Sequence, residues 1–212
     1  VVIYKPKGIL SHPTSIWDIG KSSVVGFLVH HFGKIPSVGP MIRAGLVHRL
    51  DKMTDGLMIC AISERGLRHF SNLFRQKSQA DTILQKHSVR LHKYYRATCR
   101  STTMGKKRIQ NLQTPHLIQS PVYAQVPGDR QGKIGMTMIL SCVPHVDDVG
   151  LWDMDIELLT GRTHQIRYHL SQAGLPIVGD YLYGTDNNCD LALTAYRLDF
   201  VDPDGYDRVV QI

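Results

Sequence analysis

Charged residues are uncommon inside apolar sequence, yet GLVHRLDKMTDGLMI (residues 45–59) sets Arg49 and Asp51 among Leu46, Val47, Leu50, Leu57, Met58 and Ile59. A carboxylate in such company is costly unless it is paired and hydrogen-bonded. Arg49 is the nearest cation along the chain; on a strand it would share the face of Asp51, and on a helix it would not. A partner from elsewhere is the alternative, and GRTHQIRYHL carries Arg162, His164 and Arg167 within a helical turn or two. An arginine held against Asp51 would keep it ionised, the state that a nucleophile or general base requires. From the residues alone a structural ion pair is the commoner explanation, and a catalytic carboxylate is the other. Metal chemistry has less support. Cys60, Cys99, Cys142 and Cys189 form no CxxC pair, so no zinc site is read and buried free thiols in a reducing compartment are expected.

The elements that must hold these groups can be read from periodicity. VVIY is a short β-rich run stopped by Lys5-Pro6, with Gly8 and Pro13 making a loop. SSVVGFLVHHFG predicts a helix capped by Ser22 or Ser23 and stopped by Gly33, with Val24, Phe27, Leu28 and Phe32 inward. SERGLRHFSNLFRQKS predicts a second helix capped by Ser63, with Leu67, Phe70, Leu73 and Phe74 as its buried stripe. KYYRATC reads as a strand. From Arg100 to Gly135 the pattern decays into loops with short strands, and Asp147-Asp148 reads as a turn. LWDMDIEL alternates, placing Trp152, Met154, Ile156 and Leu158 on a core face and Asp153, Asp155 and Glu157 on a wet one. TGRTHQIRYHLSQAG predicts a helix capped near Thr163 and ended by Gly174, and LALTAYRLDF closes as a strand. No βαβ rhythm repeats, so the expected class is α+β, one domain over residues 1–212 on a mixed, largely antiparallel sheet with flanking helices and a central cleft.

Composition narrows the partners. Lys plus Arg exceed Asp plus Glu by 25 − 18 = 7, and the isoelectric point is near 9.3. Such a surface attracts polyanions, nucleic acid first, although a mildly basic soluble enzyme has the same balance. The 42% apolar fraction excludes a disordered chain, and no apolar run approaches the roughly 20 residues that span a bilayer, so no membrane partner is expected. VVIYKP reads as the inside of a strand, so a missing N-terminal piece is expected and the lack of a targeting segment is uninformative.

HRLDKMTDGL closely resembles the HRLDxxTSGL signature of the RluA-type pseudouridine synthases. VVIYKPKGILSHP is similar to that family's opening strand and lysine-proline-glycine loop. KYYRA resembles its K-x-Y-x-A strand with Tyr95 as the family tyrosine, and GKIGMT its G-K-x-A-x-T strand with Gly135 in place of alanine. LLTGRTHQIRYHLSQAGLPIVGDYLYG matches the long third motif, and LALTAYRLDFVDP the closing strand, with Thr194 where histidine is usual. The order is kept from about Val1 to Val210, which makes coincidence improbable.

The resemblance implies isomerisation of a uridine within RNA, without metal or cofactor. The base is detached at N1, rotated and rejoined through C5. Asp51 is then the catalytic aspartate, attacking sugar or base or abstracting a sugar proton. Arg167 matches the arginine that ion-pairs with it, and Tyr95 the tyrosine that stacks on the base. Arg49 matches the residue that fills the gap left by the flipped nucleotide, and His48, Thr54, Arg162, His164 and Gln165 fall on the substrate side of the same motifs. His48 and His164 are expected to orient backbone or neighbouring side chains rather than to move protons. A base inside stacked RNA is out of reach, so such chemistry needs extrusion into a pocket with an aromatic platform, and a basic surface to hold the phosphates. Ribosomal RNA is the first expected substrate and transfer RNA the second, with pre-ribosomal proteins as further partners and a cytoplasmic or organellar location.

Two departures stand out. Asp55 replaces the usual Ser or Thr before Gly56 and adds a negative charge near Asp51, so it is expected to point away. KSQADTILQKHS lengthens the chain beyond the family norm and reads as a helical insertion, either touching RNA or a partner or merely elaborating the surface. Competing readings are an RNA-binding ribosome assembly factor with a synthase fold and weak or no catalysis, and an Asp-based hydrolase releasing free uracil.

Overall fold

The structure is a computed structural model that describes residues 1–18, 20–37, 43–124, 132–146, 148–184 and 189–212. The chain groups into two compact units: Val1–Leu91 with Ala195–Ile212, and His92–Thr194.

The first unit contains β1 (Val2–Lys5), α1 (Val24–Phe32), β2 (Asp55–Ile59), α2 (Glu64–Gln79), α3 (Ile83–Ser88), most of β7 (Leu193–Val201) and β8 (Asp207–Gln211). β1 and β2 are antiparallel with Tyr4 opposite Leu57, β7 lies next to β2, and β8 pairs antiparallel with β7. Gly56 is required where β2 meets β7: a Cβ there would lie 2.2 Å from the Ala195 carbonyl oxygen, and its φ is +115°. Leu57 and Ile59 from β2, Phe70 and Leu73 from α2, and Leu198 and Phe200 from β7 make the core. Ser63 caps α2 as predicted, accepting from the Gly66 amide; Leu67, Phe70 and Leu73 are buried, and Phe74 is partly so. Ser23 caps α1, but its buried residues are Val24, Val25 and Leu28, while Phe27 and Phe32 are exposed. Their helical spacing suits an inward stripe, yet α1 buries a narrower face.

The inserted stretch is ordered. Thr82 and Gln85 form a reciprocal capping box at the start of α3. Lys86, buried, donates to the carbonyls of Lys77 and Ala80 at the end of α2, and Lys77 donates back to the Lys86 carbonyl at 2.7 Å. Each ammonium satisfies helix-end carbonyls that would otherwise be unpaired.

The second unit contains β3 (Leu91–Arg100) from His92 onward, α4 (Thr103–Gln110), β4 (His116–Val122), β5 (Lys133–Pro144), β6 (Leu151–Leu158) and α5 (Gln165–Gln172). β6 is antiparallel to both β3 and β5, and β5 to β4, so the order is β3-β6-β5-β4. α5 lies against β4 and β5. Helix α4 and the seven-residue β4 occupy a stretch expected to be loops with short strands. α4 has little periodicity because its place is set by contact with the end of α5. Gly105 approaches Gly174 so closely that a Cβ would lie 2.1 Å from the Gly174 oxygen. Thr102 caps α4 and also donates, through its amide and hydroxyl, to the same oxygen.

On β6 the expected core face is buried at Met154, Ile156 and Leu158, but the opposite face is not uniformly wet. Glu157 is 3% exposed and contacts His92 at 2.7 Å, Oε1 to Nδ1. Cys60 and Cys99 are buried free thiols as expected, Cys142 is half-buried and Cys189 exposed. Asp147 of the expected turn, and residues 125–131 of the expected loop region, lie outside the described residues. No helix of the described residues is long and apolar enough to cross a membrane.

Candidate active site

In the first unit, Asp51 sits between the β1 exit loop and β2, and the backbone on both sides of it is pinned. Ser11, buried, donates its hydroxyl to the Leu50 carbonyl at 2.7 Å and accepts from the Leu50 amide at 3.1 Å. On the other side the Lys52 carbonyl receives the Gly8 amide at 2.9 Å and the Lys5 ammonium at 3.1 Å. The Thr54 amide donates to the Asp51 carbonyl, closing a turn. Asp51 itself is half-buried. The segment therefore holds a carboxylate rigidly without immersing it, which is what preorganised chemistry demands.

Lys5 is fully buried, and its three donors go to the carbonyls of Pro6, Ile9 and Lys52. Burial lowers its pKa to about 8, against the charges of Asp55 and Asp51, which pull it upward. An ammonium so placed lends positive potential to the Asp51 loop. The signal for it in the sequence is one lysine ending an apolar strand, VVIYK. Asp55 accepts from the Tyr4 hydroxyl of β1 at 2.7 Å.

The other residues of this segment differ in accessibility. Arg49 is exposed, and with Arg43 it lies near enough to His12 to help depress that imidazole, after the larger effect of burial. His48 is committed to the protein: its Nε2 accepts from the Ile59 amide at 2.9 Å and its ring stacks on Phe74. Thr54 is 2% exposed and its hydroxyl has no hydrogen-bond partner among the described residues, so burial argues against Thr54 as a substrate contact.

In the second unit, α5 presents two faces. Gln165 and His169, one turn apart, point to β4 and β5; Arg167, about 200° around from either, points the other way. Gln165 Nε2 donates to the Met136 carbonyl and the Thr137 hydroxyl, and Oε1 accepts from the Thr160 hydroxyl and the Arg162 amide. All four hydrogen-bonding positions of the amide are used. Gln165 is thus a clamp that fixes the start of α5, not a hand extended to substrate. Gly135 fits the same clamp, since a Cβ there would lie 2.9 Å from the Gln165 amide carbon and 2.7 Å from Val122.

The opposite face grips the segment after Gly179. Arg167, 3% exposed, makes a two-point bond to Asp180, 0% exposed: Nε to Oδ2 at 2.8 Å and Nη2 to Oδ1 at 2.7 Å. Asp180 also accepts from the Leu182 and Tyr183 amides. Burial pushes this carboxyl up, but the Arg167 bonds and charge and the two amides outweigh it, leaving it below the usual carboxylate range. The guanidinium carbon lies 5.8 Å from the Tyr181 ring centre and 5.4 Å from that of Tyr183, within cation–π range. His164, at the N-cap, adopts φ 54°, a left-handed conformation that costs a non-glycine residue about 1–2 kcal/mol. Its Nδ1 meets the Tyr183 hydroxyl at 3.0 Å. The N-cap falls one residue after Thr163, and the His164 side chain makes no capping hydrogen bond. Arg162 is half-buried and donates to the Ile134 carbonyl.

Tyr95 is 5% exposed on β3, opposite Ile156, and shares its face with the buried Lys93 two residues earlier. The predicted residues thus gather in two places. His48, Arg49, Asp51 and Thr54 form one pinned segment of the first unit; Arg162, His164, Gln165 and Arg167 surround the start of α5 in the second, where Tyr95 also belongs. Asp180 and Lys5 were missed as site residues. Asp180 was visible only as a lone carboxylate in the aromatic run GDYLYG. The first unit holds a half-buried carboxylate on a pinned backbone, and the second a buried guanidinium paired with Asp180 and flanked by aromatic rings.

Residues 1–172 match the family model described as RNA pseudouridylate synthase. The chain belongs to that family. Among curated relatives of the synthase family, a Synechocystis protein named as an uncharacterized RNA pseudouridine synthase is 32% identical, aligned over 96% of this chain and 59% of its own length. Ribosomal large subunit pseudouridine synthase D of Borreliella burgdorferi is 31% identical, over 94% of this chain and 57% of its own. The chain therefore spans less than two thirds of the length of these relatives. The solved structure of human RNA Pseudouridylate Synthase Domain Containing 4 shares the fold, with a TM-score of 0.66 and 20% identity, over 100% of this chain and 85% of that one. The synthase family's α+β fold is thus the fold of this chain.

Proposed function

We propose that this chain is the catalytic part of an RNA pseudouridine synthase, converting a uridine of structured RNA to pseudouridine through Asp51. Ribosomal RNA is the preferred substrate, because the relatives include enzymes named for the ribosomal large subunit. Transfer RNA is the second choice. The observation that carries the reading is the double pinning of the Asp51 segment by Ser11 and Lys5, in a chain that matches the family model.

In this reaction the N1–C1′ bond breaks, the base turns, and a C5–C1′ bond forms; C5 loses a proton and N1 gains one, so no atoms are added or lost. Asp51 acts on the ribose or base as nucleophile, or on the sugar as base. Tyr95 supplies the stacking platform. Arg167 is assigned the family's supporting cation for the aspartate, and Asp180 orients its guanidinium. Arg49, exposed on the Asp51 segment, is assigned to the space the flipped nucleotide vacates.

The test uses RNA carrying tritium at uridine C5. The wild-type protein is expected to release tritium and yield pseudouridine, and Asp51→Asn to release none while unfolding at the wild-type temperature. Free uracil as product would replace this reading with a hydrolase. RNA binding without tritium release by the wild-type protein on ribosomal or transfer RNA would replace it with an assembly factor.

A further inference from the structure

A second concavity of the second unit has no part in the chemistry above. It encloses about 710 Å³ between the C-terminal half of α4, β4 and the end of α5, a size that small-ligand sites share. It lies along the Gln165–His169 side of α5, away from the face that carries Arg167. Ile109, Leu117, Ile139 and Leu175 give it apolar walls. The His169 ring forms part of its floor, and both ring nitrogens are occupied, by the Thr137 hydroxyl at 2.9 Å and the Ser120 carbonyl at 3.3 Å. Asn111 and Gln119 bring amides to its edge, and Lys107, Arg108 and His116 are exposed at its rim.

The charge at this place is one-signed. Between Ser101 and Tyr123 the sequence has three cations (Lys106, Lys107 and Arg108) and no carboxylate. None of the lining residues is acidic. The wall is also built to keep its shape: Gly105 and Gly174 meet backbone to backbone, and Arg108 donates to the Gln172 carbonyl at 3.1 Å. Apolar walls, amide edges and a cationic rim are the features that hold an unpaired nucleotide, its base inside and its phosphate outside.

We infer that this cavity binds an unpaired nucleotide of the substrate RNA, separate from the nucleotide that is modified. The inference rests on the proposed RNA-modifying function for the identity of the polymer, and on the cavity alone for its place. It gives the protein a second grip on RNA.

The test is equilibrium binding of the RNA across a salt series, by wild type and by a Lys107→Glu/His116→Glu variant. Both positions are exposed, so the variant is expected to fold. Expected are an affinity loss of at least tenfold at low salt and a shallower log–log salt dependence, by about 0.7 for each phosphate that the variant no longer neutralises. Leu117→Glu, which sets a carboxylate in the apolar wall, is expected to lower affinity roughly 5- to 150-fold, the range for losing one stacked base. RNA substituted with 4-thiouridine should crosslink to β4 or α4 in the wild-type protein. Wild-type affinity and salt dependence in the double variant, or crosslinks confined to other segments, would overturn the inference. Loss of affinity in these variants, with no tritium release by the wild-type protein, would keep the inference and remove the catalytic reading. Tritium release by the wild-type protein, with variants that bind normally, would do the reverse.

Discussion

Replacing Asp180 by asparagine is the most informative single perturbation of the second unit. The substitution keeps an oxygen for the Leu182 and Tyr183 amides, so their hydrogen bonds survive. It removes the charge opposite Arg167, whose side chain is 3% exposed, and turns the Oδ2 acceptor of the guanidinium Nε into a donor. Removing one charge of a buried pair costs about 3–5 kcal/mol. For a chain of this length each kcal/mol lowers the midpoint by about 2–4 °C, so a fall of roughly 6–20 °C is expected. The assay is paired urea and thermal unfolding of wild type, Asp180→Asn, Arg167→Met and the double variant. Arg167→Met on the asparagine background removes the cation that Asp180 faced, so the two substitutions should be coupled by about 1–3 kcal/mol. Acid adds an independent check. Asp180 is held below its ordinary value of 3.8, so its contribution is complete above that pH and is lost as pH falls further. The asparagine variant should lack that part of the acid transition. A cost below about 1 kcal/mol, or additive effects in the cycle, would refute the buried pair as the anchor of α5.

Two further outcomes follow from the Asp51 segment. Lys5 has a folded pKa of about 8 against an ordinary 10.5, so the unfolded chain binds more protons between those values and stability should rise with pH across that window, measured against Lys5→Met. The rise should approach about 3 kcal/mol, since each pKa unit is worth about 1.4 kcal/mol, and parallel pH curves for the two proteins would contradict it. Thr54→Val removes a buried hydroxyl that has no partner among the described residues, so it should leave tritium release intact and raise stability by about 1 kcal/mol. A large fall in activity at unchanged stability would instead give that hydroxyl to the substrate.

The local pattern determined much of this protein. Asp51 was conspicuous because a carboxylate among Leu50, Leu57 and Met58 has to be explained. Ser63, Leu67, Phe70 and Leu73 announced α2 because a capping residue and a 3.6-residue stripe lie within one element. The ordered series of motifs from Val1 onward gave the family, and with it the α+β class. What the sequence left open depended on which element covers which. Alternation placed Glu157 in water, but His92 closes over it. Helical spacing put Phe27 inward, yet α1 leaves it exposed. α4 and β4 hardly show in the sequence, because backbone contact with Gly174 and pairing with β5 hold them more than any stripe of their own. Nothing local tells Gln165, whose amide is consumed by the sheet, from Arg167, two residues on, whose charge is matched by Asp180 across a loop. Periodicity reports the face a residue occupies; only the packed neighbours decide whether that face meets water, a carboxylate or RNA.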